Sequence, residues 1–118
     1  MSLNIKEKYG LLINNEWVPA SDGAEFAVYN PANGDQLAIC AEATQADVDK
    51  AVEVATEAFK TWKHVSQVDR ADYLLKIADA IDAHKEHLAQ VETYDNGKPI
   101  RETLNVDIPL GADHFRYF

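Results

Sequence analysis

Apolar positions along this chain follow two different periods, and the change falls near Glu42. Before it, apolar residues come in short runs. Leu11-Leu12-Ile13 and Trp17-Val18 are separated by Asn14-Asn15-Glu16, a turn-rich gap of the kind that closes a hairpin. Phe26-Ala27-Val28-Tyr29 and Leu37-Ala38-Ile39-Cys40 flank Asn30-Pro31-Ala32-Asn33-Gly34-Asp35. There Pro31 presets one turn angle and Asn33-Gly34 supplies positive φ, which predicts a second hairpin. After Glu42 the spacing is helical. Thr44 and Asp47 stand three apart as in a capping box, with Asp in place of the usual Glu or Gln. Val48, Ala51, Val52, Ala55, Ala58, Phe59 and Trp62 then form one stripe. Ser66 and Asp69 repeat the start signal ahead of a second stripe, Ala71, Leu74, Leu75, Ala78 and Ile81. A third, short helix carries Leu88 and Val91 toward Tyr94 and ends at Asn96-Gly97, where glycine relieves a left-handed cap. Pro99 suits the start of a fourth helix, and Pro109 inside that pattern predicts a kink or break near Asp107 and Ile108.

Two hairpins followed by four amphipathic helices predict an α+β fold, with residues 1–42 a β-hairpin region and 43–118 a helical region. Sheets of this size are small, and an isolated hairpin is marginal in water. Large apolar groups (Trp17, Phe26, Trp62, Phe115, Tyr117, Phe118) gather at element ends or at the terminus. The closing Phe115-Arg116-Tyr117-Phe118 reads as a helix cut in mid-course.

Composition narrows the partners. A net charge of −9 repels phosphate backbones and excludes a nucleic-acid binder. No run approaches the ~20 apolar residues of a membrane span. The opening Met1-Ser2-Leu3-Asn4-Ile5-Lys6 lacks the apolar core of a signal peptide, and the single cysteine, Cys40, fits a reducing compartment. A cytoplasmic address is the expectation.

Little in the chain spells out chemistry by itself. Cys40 ends a β-like run without a local His or basic neighbour to activate it, so it reads as structural. His84 and His87 share a helix face but lack a third ligand, and read as surface histidines at a helix junction. His114 reads as packing or capping. The five glycines never form G-x-G-x-x-G, and Gly97-Lys98 lacks the rest of a P-loop. Glu53, Glu57, Asp79 and Asp82 read as solvated helix faces.

Taken together and in order, Ile13-Asn14-Asn15-Glu16-Trp17-Val18, Asn30-Pro31-Ala32-Asn33-Gly34 and Glu92-Thr93-Tyr94-Asp95-Asn96-Gly97-Lys98-Pro99 resemble the opening part of the NAD(P)-dependent aldehyde dehydrogenases. The match runs from about Tyr9 to Phe118. The tail, from Arg101-Glu102-Thr103 through Asp107-Ile108-Pro109-Leu110 to His114-Phe115-Arg116-Tyr117-Phe118, is most similar in wording to the bacterial acetaldehyde-oxidising members. The resemblance implies a larger enzyme with a Rossmann-like cofactor domain, of which this chain forms part. In that family a cysteine thiolate attacks the aldehyde, hydride passes to NAD, and a glutamate base activates water against the thioester. Those residues and the cofactor motifs belong to later segments, so the resemblance places no catalytic or NAD-binding residue on this chain. Alone, it is expected neither to oxidise aldehydes nor to bind NAD. The resemblance also implies a monovalent cation near the Asn-Pro turn, held by the Asp107 carboxylate and a carbonyl around Tyr29. The rival expectation is a small non-catalytic protein that self-associates, as a homo-oligomer, or docks on a partner through exposed apolar faces.

Overall fold

The computed structural model describes residues 3–118; the reading of the N-terminus as lacking a signal core includes Met1 and Ser2, which lie outside the described residues. Five strands precede the helices: β1 (Lys8–Tyr9), β2 (Leu11–Ile13), β3 (Glu16–Val18), β4 (Glu25–Tyr29) and β5 (Gln36–Ala41). The helices are α1 (Gln45–Trp62), α2 (Gln67–Ala83), α3 (Lys85–Asn96), the single turn α4 (Ile100–Glu102) and α5 (Ile108–Tyr117). A π turn, Thr103–Asp107, joins α4 to α5, so these read as one helix and the α+β outline of four helices holds. No helix among the described residues is long and apolar enough to cross a membrane.

Contacts group the chain into two units. One comprises residues 6–29 and 36–65. In it, β2 and β3 pair antiparallel with Ile13 opposite Glu16, leaving Asn14 and Asn15 as the turn. Both have left-handed φ, 55° and 62°, as the favoured two-residue hairpin turn demands, and asparagine tolerates that region better than most residues. The second predicted hairpin is β4 with β5, antiparallel, with a bulge at Val28/Tyr29. The sequence pattern does not show β1. It pairs parallel with the other edge of β5, Lys8 opposite Ile39 and Tyr9 opposite Cys40, and gives a three-stranded sheet in the order β1-β5-β4. Helix α1 packs on β2 with a face of Asp47, Ala51 and Val54, the positions that lose most solvent. Of the stripe predicted to be its apolar face, Ala51 is in this packed face, whereas Val48, Val52 and Phe59 remain 49%, 60% and 56% exposed.

The other unit holds, among the described residues, 3–5, 30–35 and 66–118. The Ser66 hydroxyl accepts the Asp69 N–H and starts α2 as the sequence predicts. Gly97, at φ 79°, ends α3 in the predicted left-handed cap, its N–H donating to the Thr93 carbonyl. A Cβ added to Gly97 would lie 2.9 Å from Pro31 Cγ, so both the backbone angle and the packing require glycine here. Pro99 stands one residue before the helix it was predicted to open, as the N-cap of α4. Of the kink or break predicted near Asp107 and Ile108, the chain shows no break, but the helix is irregular at that place. It widens before Pro109, and the Ile108 N–H reaches back five residues to the Thr103 carbonyl. Proline has no N–H to give and its ring crowds the preceding turn, and a π turn relieves that crowding without stopping the helix. Asn105 Nδ2 donates to the Arg101 carbonyl at 2.9 Å, supplying a side-chain partner inside the widened turn.

Helix α5 lies mainly along α2, and the π turn lies against α3. Each of these three helices contributes one fully buried alanine: Ala78, Ala89 and Ala112. The largest fully buried side chain is Thr103. Its Oγ1 lies 3.1 Å from the Ala89 carbonyl, 3.2 Å from the Ile100 carbonyl and 2.9 Å from Thr93 Oγ1. A hydroxyl has one proton, so it donates to one carbonyl at a time while the Thr93 hydroxyl can donate to it. Replacing Thr103 with valine keeps the shape and deletes these bonds, which should cost about 1–3 kcal/mol because buried acceptors are left unsatisfied. Urea unfolding of Thr103→Val and Thr103→Ser checks this: serine should lose less than valine, and the reverse order would show that shape, rather than the hydroxyl, matters there.

Candidate functional site

The side chains with chemical potential are best followed along their elements. Cys40 sits in β5, the central strand, half-buried, with Phe26 opposite it on β4 and Tyr9 on β1. Its ladder neighbours are aromatic, the setting of a packing cysteine. His84 lies between α2 and α3, capping the end of one and the start of the other, and His87 is in the first turn of α3; with Asp82, Lys85, Glu86 and Gln90 they line an open surface hollow. Among the described residues, no group of three or more His, Cys, Asp or Glu side chains could hold a metal ion. His114, on α5, borders a small apolar hollow with Leu74, Phe115 and Phe118.

The acidic helix faces are exposed, as the sequence predicts, and their carboxylates have basic partners. Glu53 pairs with Lys50 at 2.8 Å and Glu57 with Lys60 at 2.5 Å, both along α1. Asp79 and Asp82 are drawn into a cluster that ties α2 to α5. Arg116 Nη2 meets Asp79 Oδ1 at 3.2 Å and Asp82 Oδ2 at 2.5 Å, and its Nη1 meets Asp113 at 3.4 Å. Asp79 and Asp82 do lie on an exposed helix face, as the sequence predicts; what no local spacing reveals is their partner Arg116, more than thirty positions away. Asp82, and then Asp79, hold the guanidinium more firmly protonated than usual.

Asp107 and Tyr29, the pair implied by the family resemblance, belong to different units and are described separately. Tyr29 closes β4 opposite Gln36 and is 56% exposed. Asp107 ends the π turn, half-buried. Its Oδ2 is shielded from solvent and lies 2.5 Å from Lys98 Nζ, a charge contact without the alignment of a good hydrogen bond. The Asp107 carboxylate in turn pushes the Lys98 ammonium pKa above its usual 10.5. Lys98 is therefore the resident cation at this carboxylate, a partner the sequence reading missed. The two residues are nine apart across a helix start and a π turn, a separation that carries no periodic signal.

The most firmly held carboxylate is Asp47. It stands at the third position of α1 and completes the predicted capping box with Thr44. Its Oδ2 accepts the Thr44 N–H at 2.8 Å and the Thr44 hydroxyl at 2.9 Å. The Ser21 N–H forks to Oδ1 and Oδ2, both at 3.2 Å. The carboxylate thus closes the helix start and pins the loop that follows β3. It has neither an open face nor a nucleophilic neighbour, so the arrangement serves structure. The bond from the Thr44 N–H, then that from Ser21, lowers its pKa below 3.8, against a partial opposing effect of burial.

Comparison with known proteins adds what geometry alone does not. The aldehyde dehydrogenase family model matches residues 17–118. The chain is 47% identical over 116 residues to a protein named acetaldehyde dehydrogenase from Pseudomonas aeruginosa, covering 98% of this chain and 23% of that one. Among solved structures, the NAD+ complex of an aldehyde dehydrogenase from Bacillus cereus superimposes with a TM-score of 0.91 at 42% identity, over 98% of this chain and 23% of that one. An NAD-dependent aldehyde dehydrogenase from Sinorhizobium meliloti gives 0.89 at 34% identity, with the same coverage of both chains. The chain thus spans about a quarter of the length of the relatives it matches.

Asp47 makes a pH prediction. A carboxylate whose folded pKa is depressed contributes stability that is complete above its unfolded value, near 3.8, and is lost as pH falls through the lower folded value. Stability of the unit formed by residues 6–29 and 36–65 should therefore be flat in this respect above about pH 5 and fall below it. Urea midpoints measured across that range should decline less steeply for Asp47→Asn than for the wild type. Equal slopes would remove Asp47 from the acid response.

Proposed function

The chain belongs to the aldehyde dehydrogenase family, and we propose that it supplies a non-catalytic, structural portion of an NAD-dependent enzyme that oxidises an aldehyde to the carboxylic acid. Acetaldehyde is the first candidate substrate, supported by the identity to the Pseudomonas aeruginosa relative. The observation that carries the reading is the joint one: near-complete coverage of this chain at 47% identity, against 23% of the relative's length. In the proposed enzyme the nucleophilic cysteine, the glutamate base and the residues that bind NAD come from outside these 118 residues. This chain's hairpins and helices act as scaffold, and the exposed face of α1 at Val48, Val52 and Phe59 receives apolar cover from the rest of the enzyme. NAD is the cofactor of that whole enzyme, and its address is cytoplasmic.

A monovalent cation at Asp107, with the Tyr29 carbonyl as second ligand, enters this reading only in exchange for Lys98. The ammonium already neutralises the carboxylate, so the present side chains do not offer a bare metal site. No step of the chemistry is routed through such an ion.

Purified to homogeneity, the chain should form no NADH from acetaldehyde and NAD; sustained NADH production would overturn the assignment of the chemistry to residues outside it. A second reading follows from the same exposed face on α1: in isolation the chain self-associates, a second copy replacing the missing cover. Sedimentation should then show a concentration-dependent dimer or larger species. A monomer that also fails to bind ANS would remove this reading.

A further inference from the structure

Two Asn-Gly pairs have no part in the chemistry of the proposed function: Asn33-Gly34, in the loop between β4 and β5, and Asn96-Gly97, at the end of α3. In such a pair the backbone nitrogen of glycine can attack the asparagine side-chain amide, and the missing Cβ removes the usual obstruction. The same three-point restraint recurs at both. Asn33 Oδ1 accepts the Asp35 N–H at 3.0 Å, Asn33 Nδ2 donates to Asp35 Oδ2 at 2.7 Å, and the Gly34 N–H donates to the Asn30 carbonyl at 2.8 Å. Asn96 Oδ1 accepts the Lys98 N–H at 2.7 Å, Asn96 Nδ2 points to Glu92 Oε1 at 3.4 Å, and the Gly97 N–H donates to the Thr93 carbonyl at 2.9 Å. Both glycines are left-handed, at φ 78° and 79°. The Pro31 ring of the first turn lies against Gly97 of the second.

We infer that Asn33 and Asn96 are deamidation sites that the fold holds closed. In the reaction, the glycine nitrogen forms a bond to the asparagine Cγ and the Cγ–Nδ2 bond breaks. The glycine N–H proton leaves with Nδ2 as ammonia, and a succinimide ring remains. Water from solvent then opens one of the two ring C–N bonds to give aspartate or isoaspartate, with no change of oxidation state. Every atom that must move is engaged in the native turns. The nucleophilic nitrogen has its proton committed to a carbonyl, and the side-chain oxygen is held by a backbone N–H two residues on. Reaction therefore has to wait for local opening.

Conversion would also disturb the turn that reacts. A carboxylate at position 33 replaces the amide that now donates to Asp35, and sets two negative groups side by side. Isoaspartate lengthens the backbone beside the Pro31–Gly97 contact, so damage in one turn loosens the other.

The test is to age the full chain in mildly alkaline buffer and in urea at the same pH, quantifying conversion at each site by peptide mapping. Both sites should react at least about tenfold more slowly in the folded chain, the size expected when several hydrogen bonds must open first. Equal rates in buffer and urea at either site would overturn the inference there. In Asp35→Ala, which removes the side-chain anchor but keeps the backbone donor, Asn33 should accelerate several-fold and by more than Asn96. An unchanged Asn33 rate, or a rise no larger than at Asn96, would overturn the proposed restraint at that site.

Discussion

Everything in this structure depends on how little apolar volume its interior holds. The fully or nearly buried apolar side chains among the described residues are all alanines, at positions 20, 38, 78, 89 and 112, and the largest group wholly out of solvent is a threonine. Small residues let helices approach closely, which is how α5 can lie along α2 and the π turn along α3. They also remove little surface from water, at roughly 25 cal/mol for each Å². With so small a hydrophobic contribution, polar ties become the organising contacts. Thr103 bridges α3 and the π turn, Arg116 joins α5 to α2, and Asp47 fastens the loop after β3 to the start of α1.

Those ties divide sharply by whether the sequence reveals them. The local ones are legible. Thr44 with Asp47, Ser66 with Asp69, and Gly97 after α3 all act within one turn of their own position, where spacing carries the signal. The Asn14-Asn15 turn is legible for the same reason. The non-local ties are silent: Arg116 reaches back to Asp79 and Asp82, and Lys98 reaches forward to Asp107. Strand β1 is silent too, since two residues cannot show alternation and its partner is a strand some thirty positions later. Helical periodicity marked α1 as amphipathic but could not say which part of a broad apolar face would meet the sheet.

The candidate site shows the same division. Asp107 was singled out through motif order and family resemblance, whereas its charge partner could be found only in three dimensions. The family itself was legible because its signature lies in turns, at Asn30-Pro31 and Asn96-Gly97-Lys98-Pro99, where backbone geometry restricts which residues serve. The same turns hold two side-chain amides next to glycine, so one local chemistry both marks the lineage and creates a vulnerability that folding suppresses.

The π turn has a consequence for direction. An ordinary helix advances each residue by about 100°, so the extra residue in Thr103–Asp107 re-phases everything after it by about that angle. Without it, a helix beginning at Ile100 would present one continuous stripe to one neighbour. With it, the first half faces α3 and the second half faces α2. A single helix thereby acts as a corner piece, and Pro109 sets where the corner falls.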